Sequence, residues 1–187
     1  MTRLRHGPRR SNRRRPWRCV LAVVCFAFLA YGVPVDVKES EVKAAFLLNF
    51  TRFVDWPPSA FESATSPLTI CILGDDPFGV TLDQLVEGEV AEGRKLAVAR
   101  IHRLPAPGKC QVLFVAKSEK EVPSTMADIG PGVLTVSDRD RFLNEGGIIA
   151  FVVEAGHVRF DISQRAAMKS SLALNARLLR VARSVQK

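Results

Sequence analysis

Residues 68–79, LTICILGDDPFG, constrain the fold of this chain more than any other stretch. An apolar run without a single charge stops at a glycine, two aspartates and a proline. That is the pattern of a buried strand delivering a tight acidic turn to one end of a sheet. Leu68–Leu73 is therefore expected to be a central strand, and the rest of the chain has to cover it.

The segments around it read as alternating helices and strands. Upstream, residues 39–54 place Val42, Ala45, Phe46, Asn49, Phe50 and Phe53 on one helical stripe, and Trp56-Pro57-Pro58 ends the helix. Downstream, the spacing predicts a short helix over 80–86, a loop over 88–93, a strand over 95–101 and an apolar strand over 110–116. Ser118 with Glu121 has the form of a capping box ahead of a helix over 123–129. A strand over 132–136 and a helical turn over 137–144 follow. Residues 148–153 and 158–162, parted by Ala155-Gly156-His157, read as a β-hairpin. Residues 163–185 read as one long helix with Ser163 as N-cap. Leu172, Leu174, Leu178 and Leu179 form its apolar face, while Arg165, Lys169, Arg177, Arg180 and Arg183 form a solvated side that would also suit an acidic partner or lipid headgroups. The expected class is α/β: a single-domain, mixed, largely parallel sheet flanked by helices on both faces, with a C-terminal hairpin and long helix.

Charge and export are linked. The formal net charge of +8 suggests a nucleic-acid binder, but eight arginines lie within residues 1–32, which hold no acid, and the remainder is balanced. Phosphate-backbone binding thus loses its electrostatic support. The arginine block runs into Cys19–Ala30, CVLAVVCFAFLA, the basic and apolar regions of a secretory signal, with Ala30 and Gly32 placed for cleavage after residue 32. The alternative is an uncleaved anchor, for which the apolar run is short of the roughly 20 residues a spanning helix uses. The expected organisation is a signal peptide over 1–32 and one α/β domain over 33–187, exported to an oxidising compartment.

Removal of the leader takes Cys19 and Cys25 with it and leaves Cys71 and Cys110. They are either two buried thiols or a disulfide, and export favours the disulfide. No metal-ligand spacing, phosphate-binding glycine loop or nucleophile elbow is present in the chain. Asp75 and Asp76 fit a general acid/base pair less well than turn chemistry, because adjacent side chains diverge. His102 and His157 stand alone. Neither a catalytic residue nor a cofactor is expected, and a binding or regulatory role is the default. Trp56, Asp75, Asp76 and Phe78 are the candidate partner-binding residues, Phe78 either exposed in its loop or folded under it as a plug.

Seven segments in order, FTRFVDWP (50–57), ICILGDDPFG (70–79), CQVLFVAKSE (110–119), VLTVSD (133–138), GGIIAFV (146–152), VRFDIS (158–163) and ALNARLLRVA (173–182), resemble the YfiR family of small exported proteins. Two positions depart from it: Ser163 stands where the family tends to have Asn, and Gln111 where it tends to have His. The resemblance implies a periplasmic, non-enzymatic homodimer that holds the sensor domain of a membrane-bound diguanylate cyclase inactive, lowering cyclic di-GMP and biofilm formation, with release under redox stress. Another membrane sensor, such as a histidine kinase, or a small-molecule ligand is the alternative partner.

Overall fold

The structure, a computed structural model, describes residues 38–187, so the expected signal peptide lies outside the described residues. The described residues open with α1 (Glu39–Phe50), a short strand β1 (Val54–Asp55) and a 3-10 turn (Pro58–Ala60). It continues through β2 (Leu68–Leu73), α2 (Val80–Val86), β3 (Val90–Ala91), β4 (Arg94–Ile101), β5 (Val112–Val115), α3 (Val122–Asp128) and β6 (Leu134–Ser137). The hairpin β7 (Ile149–Glu154) and β8 (His157–Ser163) follows. The last quarter is α4 (Gln164–Lys169), β9 (Ala173–Leu174), α5 (Ala176–Val181) and β10 (Ser184–Gln186).

Eight strands form one mixed sheet in the order β10-β8-β7-β6-β5-β2-β4-β3. From β4 to β7 neighbouring strands are parallel, β7–β8 is antiparallel, and β10 lies parallel to β8 beyond the hairpin. β1 and β9 pair as a separate two-stranded ladder. The uncharged central strand sits where its composition requires, with both faces covered. Leu68, Ile70 and Ile72 face the larger core with α1, α2 and Leu178 of α5, and Cys71 and Leu73 face a second core with Leu113, Val122 and Phe142. Burial on this scale, at about 25 cal/mol per Å² of apolar surface, is the main term holding the layers together.

The strand over 68–73, the helix over 80–86 and the hairpin match the expectation. Four local expectations do not. Helix α1 stops at Phe50, where successive one-turn bonds from Thr51, Arg52 and Phe53 tighten its end, and its buried face is centred on Ala44, Leu47 and Leu48 while Asn49 is exposed. Ser118 does not cap α3: its Oγ accepts from the Asp75 amide at 2.9 Å, and Glu121 takes the N-cap position without a side-chain bond. Residues 139–146 form turns, not a helix.

The long C-terminal helix is the largest correction. Ser163 caps as expected, accepting from the Ala166 amide, but α4 ends after Lys169 and Ser171 turns left-handed at φ 58°. The chain then runs extended so that Leu174 pairs with Val54, and the Asn175 amide donates to the Phe53 carbonyl at 2.9 Å. The Asn175 side chain caps α5, and Ala182 leaves the helix so that β10 can lie along β8. Tertiary pairing here overrides the helical periodicity, at Ser and Asn positions whose side chains compete for the backbone.

Candidate functional site

The loop after β2 lies at the carboxyl end of the parallel strands, where α/β sheets commonly place their binding crevice. Gly74 opens it at φ 89°, and a Cβ there would stand 2.8 Å from Ser118 Oγ, so glycine is required both by the backbone and by the close approach of the loop after β5. Asp76 Oδ1 accepts from the Phe78 amide at 2.7 Å, an Asx turn, which confirms the turn reading of this residue. Asp75 is exposed and its carboxylate makes no hydrogen bond or ion pair within the described residues. Phe78 is 4% exposed, with its ring edge-on to Phe114 at 4.8 Å between centroids. It is the plug and not a surface contact, because burying the ring against Phe114 gains more than leaving it in water.

Arg100, on β4, holds this loop to α2. Its Nε donates to Asp76 Oδ2 at 2.9 Å, its two terminal nitrogens to both oxygens of Asp83 at 2.6 and 2.7 Å, and one of them also to the Gly79 carbonyl at 2.8 Å. Hydrogen bonding to Arg100 holds the Asp83 carboxyl below its ordinary value, and hydrogen bonding to Asp83 first, then Asp76, raises the guanidinium. Both acidic partners are therefore committed to an ion-pair clamp. Arg100 was not singled out by sequence, since an arginine at an alternating strand position reads as solvated.

A second charged group closes the same end of the sheet. Lys43 of α1, 5% exposed, donates to Asp138 after β6 at 2.7 Å and lies 2.5 Å from Glu39. Burial alone would lower the Lys43 pKa, but the bonds and charges of Asp138 and Glu39 outweigh it and the value is raised. Arg139 beside it donates to the Lys117 and Glu119 carbonyls at 3.0 and 2.5 Å, tying the loop after β6 to the loop after β5.

Cys71 and Cys110 are joined as a disulfide, with Cα atoms 5.9 Å apart. Its place in the topology explains what it holds. β4 and β5 lie on opposite sides of β2, so the chain between them must cross β2, a step usually made by a helix. Here residues 102–111 make it as a bare strap, LPAPGK at its middle, with Leu104 packed on the core that contains Cys71. The bridge pins the far end of this strap to the strand it crosses.

Next to the bridge, Gln111 is fully buried and uses its whole amide: Oε1 accepts from the Thr69 amide at 2.8 Å, and Nε2 donates to the Ala60 and Gly108 carbonyls at 2.5 and 3.1 Å. The half-buried Trp56 donates its indole N–H to the Gln111 carbonyl at 3.3 Å. The polar residue inside the apolar run CQVLFVA was the sequence signal for this hub, and it was read only as a departure from a family pattern. Of the candidate residues, Asp75, Asp76 and Phe78 share the loop after β2. Trp56 instead belongs with Gln111 near the start of β5.

Among the described residues there is no group of three or more His, Cys, Asp or Glu able to hold a metal ion, and no helix long and apolar enough to cross a membrane. His102 and His157 are exposed. Asp76 and Asp83, both paired with Arg100, position the loop after β2 against α2.

No curated protein matches the chain. A solved structure similar to it, a conserved domain protein from Vibrio cholerae O1 biovar El Tor strain N16961, has a TM-score of 0.48 and 12% identity. That match covers 81% of this chain and 61% of the other, so this chain spans less than two thirds of that protein's length. The sequence pattern of the YfiR/HmsC-like family matches residues 40–183, from the first turn of α1 to just past α5. With its described fold lying almost wholly inside that match, the chain belongs to the YfiR/HmsC-like family.

Proposed function

We propose that this protein is an exported, periplasmic, non-enzymatic regulator that binds the sensor domain of a membrane-bound diguanylate cyclase and restrains it, lowering cyclic di-GMP and biofilm formation. The match to the YfiR/HmsC-like family across residues 40–183 carries this reading. The carboxylates Asp76, Asp83 and Asp138 are spent on ion pairs, which supports a role in binding over catalysis. The protein acts as a homodimer, with Asp75 and the half-buried Trp56 as contact candidates. The bridge between Cys71 and Cys110 makes the hold on the sensor redox-responsive, since its loss frees the strap over residues 102–111.

The test is affinity capture from detergent-solubilised membranes of the source cells, with the exported protein as bait, with and without reductant. Recovery of a membrane diguanylate cyclase that disappears on reduction is the expected result. Recovery of a sensor kinase in its place would keep the regulatory class and replace the target. Capture of no membrane sensor under either condition would overturn the reading.

A further inference from the structure

Away from the loop after β2, α1, β8 and α5 leave an apolar groove open to solvent. Two contiguous clefts of about 360 and 400 Å³ share Phe46, Phe160 and Val181 as lining. The floor is aromatic: Phe46 stands 5.3 Å from Phe160 in an edge-on contact and 6.0 Å from Phe50 in a stacked one. Val181 is 62% exposed at the mouth. No acidic residue lines either cleft, whereas Arg159, Arg177 and Arg180 all do, and among the described residues none of the three has a carboxylate within ion-pair distance. Most other arginines nearby are engaged, as Arg183 is with Asp161 and Arg52 with Glu89.

We propose that this groove is a docking site for an acidic amphipathic segment of a partner protein, an aliphatic or aromatic side chain entering between Phe46 and Val181 while carboxylates meet Arg159, Arg177 and Arg180. That the occupant belongs to a protein rests on the regulatory reading above. The charge of the rim selects its chemistry. A second copy docking through the same patch would bring three arginines of each subunit against three of the other, because a two-fold interface pairs a surface with itself. A lipid surface is disfavoured by shape, since Phe46 and Phe160 line a recess and only Val181 stands out at its mouth.

The test uses the chain expressed from its whole coding sequence and two fluorescein-labelled helical peptides. One carries Leu and Trp anchors with three Glu, the other the same anchors with three Lys. Fluorescence anisotropy is expected to show binding of the Glu peptide only. Arg177→Glu with Arg180→Glu should weaken it by about tenfold or more and confer binding on the Lys peptide, and Val181→Asp should weaken it by itself. All three positions are exposed, so folding should be unaffected. Equal binding of the two peptides, or none, would overturn the proposal. So would anionic phosphatidylglycerol vesicles that bind in an Arg177- and Arg180-dependent way while the Glu peptide does not. Failure of the parent protein to capture any membrane sensor, beside intact Glu-peptide binding, would refute the regulatory reading and leave the groove's chemistry standing. Sensor capture that survives the double reversal would show that the sensor docks elsewhere.

Discussion

Reducing the Cys71–Cys110 bridge should cost this fold about 4 kcal/mol. The cysteines are 39 positions apart, and a cross-link closing a loop of that length removes chain entropy from the unfolded state worth about that much at room temperature. Both residues sit in the packed second core, 1% and 5% exposed, so the reduced thiols keep their packing and almost the whole difference comes from the lost link. So that no oxidised protein remains, the reduced sample is prepared on the unfolded chain before refolding. Urea denaturation followed by far-UV circular dichroism compares oxidised and reduced protein. With a slope of about 2 kcal/mol per molar urea, the midpoint should fall by about 2 M. Cys71→Ala with Cys110→Ala should behave like the reduced parent, made slightly worse by the missing sulfur volume. Serine is the poorer control, because its hydroxyl would be buried without a partner at a further cost of about 1–3 kcal/mol. A midpoint shift under about 0.5 M would refute the reasoning, since it would mean that the strap is held as firmly by Leu104 and Gln111 as by the covalent bond.

Other perturbations separate the remaining assignments. Phe78→Ala should destabilise the protein by about 3–5 kcal/mol in the same assay, the cost of emptying a buried aromatic site; an unchanged midpoint with lost sensor capture would return Phe78 to the interface. Gln111→Ala should cost about 2–4 kcal/mol by leaving the Thr69 amide and the Ala60 carbonyl unpaired, and Gln111→His should recover part of this, because imidazole supplies one donor and one acceptor. Lys43→Met should cost about 3 kcal/mol by leaving the largely buried Asp138 with only the more distant Lys117, at 3.8 Å, and Lys43→Met with Asp138→Leu should recover most of it, as read from thermal or urea midpoints. Because the Lys43 pKa is raised in the fold, its contribution is complete below the ordinary lysine value of 10.5 and is lost only as pH climbs through the raised one. Asp83 works in the opposite sense. Its folded pKa lies below 3.8, so the Arg100 pair contributes fully above that value and fades as pH falls through the depressed one. Asp83→Asn should therefore lose about 0.5–1 kcal/mol at pH 7, discounted for its exposure, and the difference from the parent should shrink as pH falls below 3.8.

What the sequence disclosed, and what it hid, divides along the line between local and long-range causes. The strand over 68–73 and the helix over 80–86 were legible because an uncharged run and a glycine-bounded turn settle them within a few residues. The bridge was legible because the signal peptide expected over residues 1–32 would take Cys19 and Cys25 and leave Cys71 and Cys110 as the pair. The C-terminal helix was misread because its interruption at Ser170-Ser171 is dictated by Val54 and Phe53, far away in the chain and silent in any local window. Ser118 illustrates the same difficulty: its spacing to Glu121 fits a capping box, but the amide of Asp75 claims the hydroxyl first. Arg100, Lys43 and Gln111 escaped notice because each becomes informative only when its partners from other elements are known. The direction of the Phe78 ring, surface or interior, depended on whether Phe114 left room beneath the loop.

The order in which these contacts can form has a consequence for how the protein is made. Helix α1 emerges first, yet Phe46 and Phe50 find their aromatic partners in Phe151 and Phe160, and Lys43 waits for Asp138, 95 positions later. β1 closes only against β9, near the opposite end. Such non-local pairing slows folding, because loop closure must precede the contacts that reward it. During synthesis the apolar side of α1 therefore stays uncovered until the hairpin arrives. Apolar surface left open over such an interval favours aggregation, so the late hairpin sets how long the chain is exposed to that hazard.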